Sequence, residues 1–404
     1  MDTVVALATP EGHSALAVLR LSGAKALDIV SCGLKGLSLQ AKPSHTLHVC
    51  TLYDGDSPID EVVLALYKAP RSYTGEDLIE IFCHGSPFIV HRLLTCLCRW
   101  GAKMATAGAF TKRAFLNKKI DLMQAEAISD LIAAEAQAAA NNALRHLKGQ
   151  ASKQIDFLRT QVSTWLALVE LSLDFSEEDV NQAHTDKLMA QGTKVLQVAT
   201  QLKGQIAIGK AIRQGLVLVL VGKPNAGKST LLNALAGQTK ALVSDVPGTT
   251  RDAIEVKTLH KGIVLRWVDT AGLRHKPQSK LERQGLELTQ THMQNADALV
   301  WIVDAKRTKP NTLDKDAKLL RAYQKPLLLV ANKNDLLSPK ARTFWQTKQA
   351  ILLSAQTKEG LERLTQAIET QCLQSPTLNK EAVVLTSARH YDACLLYTSD
   401  AADE

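Results

Sequence analysis

The stretch from residue 216 to residue 230, "LVLVLVGKPNAGKST", constrains the fold of this chain more than any other. Its continuous apolar run is typical of a parallel strand that is buried on both faces. The turn from Gly222 to Ser229 matches the pattern G-x-x-x-x-G-K-[ST], in which backbone N–H groups wrap phosphates. A helix-like segment, "TLLNALAG", follows. The order of strand, turn and helix predicts a doubly wound α/β domain with a phosphate site at one edge of its sheet.

Length and composition set wide limits on the rest of the chain. A chain of 404 residues is long enough for two or three domains, and its 22% charged residues are ordinary for a soluble protein. No apolar run is long enough to span a bilayer, and "MDTVVALATP" lacks the basic region of a signal peptide, so we expect a cytoplasmic protein. The net charge of +8 is compatible with a nucleic-acid partner.

The cysteines argue for a reducing compartment. Seven are scattered along the chain, an odd number that does not suggest a disulfide scaffold. Cys96 and Cys98 form a C-x-C pair in "LLTCLCRW". We interpret them as buried helix cysteines rather than metal ligands, because no second ligand pair is visible.

The pattern of apolar residues divides the chain into regions. Residues 1–118 predict an α+β domain, with strands in "ALAVLRLSG", "HTLHVCTLYDG" and "LIEIFCHG" and a helix in "SPFIVHRLLTCLCRW". Residues 119–213 predict helices: apolar residues recur at helical spacing from Leu144 to Leu166, and a second amphipathic segment covers 186–204. Residues 214–375 predict the α/β domain, and residues 376–404 are too few to fold alone.

Further motifs extend the phosphate site into a guanine-nucleotide site. Lys228 is placed to neutralise the β- and γ-phosphates, Ser229 to bind Mg²⁺ directly, and Asp269 to reach Mg²⁺ through water. In "NKND", the Asp335 carboxylate can accept two hydrogen bonds from guanine, whereas adenine offers no matching pair of donors. The "LSAQTKEG" segment brings the backbone amides of Ser354 and Ala355 toward the guanine carbonyl.

One position departs from Ras-type enzymes. After "DTAG" they carry a glutamine that orients the attacking water, but this chain has Leu273. An arginine finger could neutralise the developing charge in its place, and a monovalent cation between the phosphates could supply similar electrostatic help. The oxygen ligands of that cation would be Asn225, the carbonyls of Ser244 and Val246, and Thr249. Thr250, in the switch segment "VSDVPGTTRD", would complete the Mg²⁺ shell. Glu282 either positions the water through a second molecule or is a solvated helix carboxylate.

The chain resembles the TrmE–Era–Era-like group of GTPases in "GKPNAGKSTLLNALAG", "VSDVPGTTRD", "DTAGLR" and "NKND". Three further segments are similar to only one family within that group, the tRNA modification GTPases called MnmE or TrmE. They are "SYTGEDLIEIFCHG", "GAFTKRAFLNKKIDLMQAEAISDLI" and "LDFSEED". The resemblance implies an N-terminal α+β dimerisation and folate domain, and a helical domain into which a Ras-like P-loop GTPase domain is inserted. Residues 376–404 would begin the returning helical segment.

The resemblance also implies a potassium-activated GTP hydrolase. It assigns K⁺ to Asn225, Ser244, Val246 and Thr249, Mg²⁺ to Ser229 and Thr250, and catalysis to Lys228 and Glu282, so that K⁺ and Glu282 together replace the missing glutamine. The implied GTP-binding residues are Asn225, Ala226, Gly227, Lys228, Ser229, Thr230, Ser244, Asp245, Val246, Pro247, Gly248, Thr249, Thr250, Asp269, Thr270, Ala271, Gly272, Asn332, Lys333, Asp335, Ser354 and Ala355.

The family's N-terminal domain binds 5-formyl-tetrahydrofolate, and Arg20, Glu80 and Lys119 lie on the matching positions. With an FAD-dependent partner, MnmG, which binds the homodimer to form a heterotetramer, the family adds an aminomethyl-type (carboxymethylaminomethyl) group to C5 of the wobble uridine (position 34) of certain tRNAs. For the tRNA, the sequence offers one basic cluster, and a solvated face is the alternative interpretation: Lys112, Arg113, Lys118 and Lys119.

Two other functions compete with this hypothesis. A ribosome-assembly GTPase of the Era type would need a C-terminal KH module with a G-x-x-G loop, which this chain lacks. A folate-binding transferase with a regulatory GTPase domain would turn over without responding to GTP. The main hypothesis remains a potassium-dependent GTPase of wobble-uridine modification.

The sequence departs from the family at two places. The family ends in Cys-x-Gly-Lys, but no Gly-Lys follows Cys394, so we give Cys394 no role in the reaction. The last residues, "CLLYTSDAADE", resemble translated sequencing-adapter read-through, so we expect a C-terminally truncated chain whose final residues are artefactual. His13 stands where the family usually has an arginine.

Overall fold

The computed structural model describes residues 2–174, 182–237, 241–242, 255–269, 290–308 and 310–372. The chain divides into two compact units, residues 1–128 and residues 129–404. Each unit has its own sheet, and each is described by itself.

The first unit is an α+β domain built on a six-stranded sheet. Its strands lie in the order β3-β4-β5-β2-β1-β6, and its ladders are antiparallel except for β1 with β6. The strands are β1 (Val4–Leu7), β2 (Ser14–Ser22), β3 (Thr46–Asp54), β4 (Ser57–Tyr67), β5 (Leu78–Gly85) and β6 (Lys103–Met104). The helices are α1 (Ala26–Ser31), α2 (Pro87–Arg99), α3 (Ala109–Leu116) and α4 (Leu122–Ile132), which runs across the boundary between the units.

Alternation along these strands places one face of the sheet in the core of the first unit. In β2, Ala17, Leu19 and Leu21 are buried, while the residues between them are partly exposed. Helices α1 and α2 cover the buried face, and α2 begins with Pro87 in its first turn, where a missing N–H costs nothing. The predicted strands and the predicted helix of this region are confirmed. Both cysteines of the C-x-C pair lie in α2, but only Cys96 is buried, and Cys98 is partly exposed.

The second unit begins with long helices, α5 (Gln137–Leu147), α6 (Gln150–Asp174) and α7 (Gln182–Gln214). The helix predicted from the apolar spacing is interrupted: α5 ends at Leu147, and Gly149 takes a left-handed φ of 74° before α6 begins. Spacing alone could not reveal this break, because the apolar positions keep their period across it. The amphipathic segment predicted at 186–204 is part of the longer helix α7.

The remainder of the second unit is a doubly wound α/β fold. Within the described residues its sheet has seven strands, in the order β13-β12-β11-β7-β10-β9-β8. They are β7 (Leu216–Val221), β8 (Ala241–Leu242), β9 (Glu255–His260), β10 (Ile263–Asp269), β11 (Ala298–Asp304), β12 (Leu327–Asn332) and β13 (Ile351–Leu352). The helices are α8 (Lys228–Ala236), α9 (Pro310–Arg321), α10 (Pro339–Thr347) and α11 (Leu361–Cys372), with a 3₁₀ helix at Asn334–Leu336.

Two hydrophobic cores lie on opposite faces of this sheet. Leu218 and Leu220 of β7 point into one core, while Val219 and Val221 point into the other. Burial on both faces explains why the parallel strands read as continuous apolar runs. Among the described helices, none is long and apolar enough to cross a membrane.

The antiparallel edge of the sheet was not predicted. Strand β9 pairs antiparallel with β10, and β8 pairs antiparallel with β9. The sequence of β9, "EVKTLH", is mostly polar, and Thr258 is its one buried residue. A search for continuous apolar runs therefore passes over it.

Arg113 does not belong to the predicted basic surface cluster. Its side chain is 9% exposed, and its guanidinium contacts the Glu76 carboxylate at 2.7 Å and donates to the backbone carbonyls of Ser22 and Asp2. Neighbouring Lys112 is exposed, as the cluster requires. Helical periodicity turns Arg113 inward, so its charge is structural.

Substitution of Arg113 by alanine should destabilise the first unit by about 3 kcal/mol, because the Glu76 charge would lose its buried partner. Hydrogen–deuterium exchange of the β2 and β5 amides measures the opening free energy of this unit. The control, Lys112→Ala, changes an exposed neighbour and should shift it by less than about 0.5 kcal/mol. Equal effects of the two variants would contradict the structural role of Arg113.

Candidate functional site

The glycine-rich turn lies at the carboxyl end of β7, where parallel sheets bind ligands. Three of its residues take left-handed backbone conformations: Gly222 (φ 155°), Asn225 (φ 62°) and Gly227 (φ 98°). A Cβ on Gly222 would lie 2.2 Å from the carbonyl oxygen of Ile302. Glycine is therefore required there by close packing as well as by its φ angle.

Lys228 and Ser229 open helix α8 directly after the turn. Lys228 is buried, and its Nζ donates to the carbonyl oxygens of Gly222 (2.8 Å) and Lys223 (3.2 Å). The Ser229 hydroxyl donates to Oδ2 of Asp269 at 3.2 Å, and Asp269 is buried at the end of β10. A hydroxyl and a carboxylate held this close are hard oxygen donors that suit Mg²⁺.

Asn332 joins three loops of the site through one side chain. Its Nδ2 donates to the carbonyl oxygen of Ala226 at 2.8 Å. Its Oδ1 accepts the backbone N–H groups of Lys333 at 2.8 Å and Ala355 at 3.0 Å. The glycine-rich turn, the "NKND" segment and the segment after β13 are therefore fixed relative to one another.

Lys333 links the same turn to a neighbouring strand. Its Nζ donates to the backbone carbonyl of Asn225 at 3.2 Å and to Oδ2 of Asp304 at 2.6 Å. Burial alone raises the pKa of the Asp304 carboxyl. Hydrogen bonds from Lys333 and from the backbone amides of Lys306 and Arg307, with the Lys333 charge, outweigh that effect and hold this pKa below its usual value.

The predicted base-recognition residues follow β12 and β13. Asp335 is exposed in the 3₁₀ helix, so its carboxylate is available to a ligand. Ser354 is buried: its N–H donates to the carbonyl of Glu359 (3.0 Å), and its hydroxyl accepts the N–H of Thr357 (3.2 Å). Thr230 lies in the first turn of α8 and is exposed.

The remaining predicted nucleotide-site residues lie outside the described part of the chain, and their roles stay predictions. They are Ser244, Asp245, Val246, Pro247, Gly248, Thr249, Thr250, Thr270, Ala271, Gly272 and Glu282, together with Leu273 at the position of the Ras-type glutamine.

A second group of polar residues lies in the first unit. Arg20 of β2 and Glu80 of β5 are directly paired, and the guanidinium donates through Nε (2.8 Å) and Nη2 (2.6 Å) to Oε1 of Glu80. The Arg20 guanidinium lies 5.2 Å from the ring centre of Tyr73 and 5.6 Å from that of Phe110. Lys119 donates from Nζ to the carbonyl oxygen of Pro70 at 3.1 Å, and His13 is exposed.

Sequence reasoning missed three residues of these sites. Tyr73 and Phe110 flank Arg20, but they are isolated aromatic residues in loop and helix patterns. Asp304 is the last residue of β11, just as Asp269 is the last residue of β10. Its position at the carboxyl end of a parallel strand, where such sheets bind ligands, could have identified it from the sequence.

Two family models match the chain: "GTP-binding protein TrmE N-terminus" over residues 3–119, and "MnmE helical domain" over residues 122–399. The tRNA modification GTPase MnmE of Cytophaga hutchinsonii is 41% identical over 100% of this chain and 87% of its own length. The MnmE of Christiangramia forsetii is 39% identical over 98% of this chain and 87% of its own length.

The chain is also similar to a solved structure of Aquifex aeolicus Era bound to GDP and AlF₄⁻. That structure is 24% identical to this chain, over 45% of this chain and 64% of its own, with a TM-score of 0.32. A likeness this low carries no argument about function.

Substitution of Gly227 by alanine should weaken binding of a fluorescent GDP analogue about 100-fold. The new Cβ would lie 2.1 Å from Asn332 Nδ2, at a φ of 98° that side chains rarely adopt. Gly237→Ala is the control, because its Cβ would meet Asn233 O at 3.4 Å and its φ is −79°. Fluorescence titration measures both affinities, and unchanged affinity in Gly227→Ala would show that the turn does not hold the nucleotide.

Proposed function

Because this chain belongs to the MnmE (TrmE) family of tRNA modification GTPases, we propose that it binds and hydrolyses GTP and couples hydrolysis to the modification of tRNA. The observation that carries the proposal is the nucleotide site itself. Lys228, Asp269 and the "NKND" segment meet the glycine-rich turn at one edge of a parallel sheet. The match to an N-terminal TrmE domain over residues 3–119 favours this function over ribosome assembly of the Era type.

In the proposed complex, Lys228 exchanges its two carbonyl partners for phosphate oxygens and neutralises their charge. Asp335 accepts two hydrogen bonds from guanine. The N–H groups of Ser354 and Ala355, which the family resemblance assigns to the guanine carbonyl, donate here to the carbonyl of Glu359 and to Oδ1 of Asn332, so a bond to guanine would require their release. Ser229 and Asp269 fit a magnesium ion, and Thr250 would complete its shell. Bound Mg²⁺ supplies neutralisation of the charge that develops on the phosphates.

Asn225 is the described member of the proposed potassium site. It is exposed in the glycine-rich turn, which gives its side-chain oxygen access to a cation beside the phosphates. Ser244, Val246 and Thr249 would supply the other oxygens, and Glu282 would position the attacking water. These groups would do the work of the glutamine that Leu273 replaces.

GTP hydrolysis in KCl and in NaCl at equal ionic strength tests this mechanism. We expect rates about tenfold or more higher in KCl, because the proposed site would hold K⁺ better than the smaller Na⁺, and only a bound cation stabilises the transition state. Asn225→Ala should lose this activation. The control, Asn233→Ala, removes an exposed amide from α8 and should keep it. Equal, slow rates of the unsubstituted chain in both salts would contradict the cation mechanism.

For the first unit we propose a site for a tetrahydrofolate such as 5-formyl-tetrahydrofolate. Glu80 can accept hydrogen bonds from the adjacent N–H donors of a pterin edge. Arg20 donates to Glu80 and would therefore lie at the same end of the folate, so Lys119 is the cation that suits the anionic tail. The Tyr73 and Phe110 rings beside Arg20 offer flat surfaces of the kind that a planar heterocycle packs against. The folate would supply a one-carbon unit.

The open face of the six-stranded sheet supports the proposed homodimer. The register places Leu47, Ala65, Glu80 and Arg20 in one row across four strands, opposite the face that α1 and α2 cover. On the edge strand β3, the side chains of Leu47 and Val49 are 68% and 72% exposed. Apolar exposure of this extent is typical of an interaction surface. We assign it to a second copy of the chain.

Val49→Lys should convert the dimer to a monomer in size-exclusion chromatography with light scattering, because a charge would have to be buried at the interface. Leu319→Lys, at a residue of α9 that is 71% exposed, is the control and should remain dimeric. A dimer of unchanged stability in Val49→Lys would exclude this face.

The remaining steps of the proposal rest on the family. The dimer would bind an FAD-dependent MnmG partner as a heterotetramer and act in the cytoplasm on C5 of the wobble uridine of certain tRNAs. We infer domains at 1–118, 119–213 and 214–375, with 376–404 returning to the helical domain. Exposed Lys112 and Lys118 stay candidates for tRNA contact.

A further inference from the structure

We propose that Asp304 is a positioning residue of the nucleotide site, which acts through Lys333 on the backbone of Asn225. Asp304 lies outside the nucleotide motifs, and nothing in them assigns it a role. The inference rests on the proposed GTP site and extends it to the residue that sets the shape of the glycine-rich turn.

The Asp304 carboxylate is itself held rigidly. It ends β11 and pairs in register with Asn332 at the end of β12. Its Oδ1 accepts the backbone N–H groups of Lys306 (3.0 Å) and Arg307 (3.2 Å), and the side chain is 12% exposed. Its second oxygen, Oδ2, is thereby aimed at Lys333, whose Nζ lies 2.6 Å away.

The Lys333 ammonium transmits this position to the glycine-rich turn. The same Nζ donates to the backbone carbonyl of Asn225 at 3.2 Å. Asn225 has a φ of 62°, a conformation that costs free energy for a residue with a Cβ. A hydrogen bond from a charged donor stabilises that conformation, and it depends on Asp304 because Asp304 fixes where the ammonium lies.

The negative charge of Asp304 is the active feature, since it makes the bond to Lys333 a charge-assisted one. A second carboxylate allows a matched comparison. Asp304, Asn225 and Asp316 line one groove of 350 Å³ beside the turn. Asp316 contacts Lys223, another residue of the turn, at 3.0 Å, but Lys223 is exposed and its ion pair is on the surface. We expect that pair to contribute little.

Asp304→Asn in the full chain keeps an acceptor for the two backbone N–H groups and removes the charge. The dissociation constant of a fluorescent GDP analogue in potassium-free NaCl buffer should rise about tenfold. The KCl concentration for half-maximal GTP hydrolysis should also rise about tenfold, while the rate at saturating KCl and GTP stays within about twofold. An unchanged melting temperature would separate positioning from lost stability.

Asp316→Asn is the matched control and should leave both constants unchanged. Asp304→Glu keeps the charge and should recover part of the GDP affinity, which also decides the question if Asp304→Asn does not fold. Wild-type GDP affinity in Asp304→Asn, or an equal loss in Asp316→Asn, would overturn the proposal. If the unsubstituted chain binds GDP without activation by KCl, the potassium mechanism fails while the GDP affinities still decide the role of Asp304. A chain that binds no GDP would overturn both.

Discussion

The amide of Asn332 is the interaction on which the nucleotide site depends. A buried amide must satisfy both its donor and its acceptor, and this one does so with backbone groups of three separate loops. Those loops come from distant parts of the sequence, and each follows a strand of one parallel sheet. The sheet brings the loops to a common edge, and the amide sets the distances between them. Lys333 and Asp304 extend the same network by one further strand.

In the first unit, two ion pairs are the corresponding interactions. Its sheet has one face filled by helices and one face that keeps polar groups near apolar side chains. Arg20 and Glu80 lie opposite each other on paired strands. The sheet already fixes their backbones, so forming the ion pair loses little further backbone entropy. Arg113 and Glu76 form a second pair that is almost fully buried. The first pair is the one that we propose for the folate site, while the second holds the strand ends and the N-terminal residues together.

Much of this structure could be predicted from sequence, for physical reasons. Continuous apolar runs identified the buried parallel strands, and the glycine-rich turn identified the phosphate site, because both are local patterns. Strand β9 was not predicted because it is half exposed. The break between helices at Gly149 was not predicted because the apolar period continues across it. Arg113 was misassigned because charge alone does not reveal burial. No local pattern could have identified the contacts that Asp304, Tyr73 and Phe110 make in these sites, because the partners that each of them contacts there are distant in sequence.

The antiparallel pair β9 and β10 has a mechanical consequence. The two strands form one hairpin, which begins at Glu255 and ends at Asp269. The ladder pairs Ile263 with His260 and continues to Val268 with Glu255. Lys257 also fastens β9 to Glu135, in the segment before α5, through both carboxylate oxygens at 2.7 and 2.9 Å. The ladders and this ion pair hold the hairpin within the second unit, so Asp269, at the end of β10, has a fixed position beside Ser229 of the glycine-rich turn.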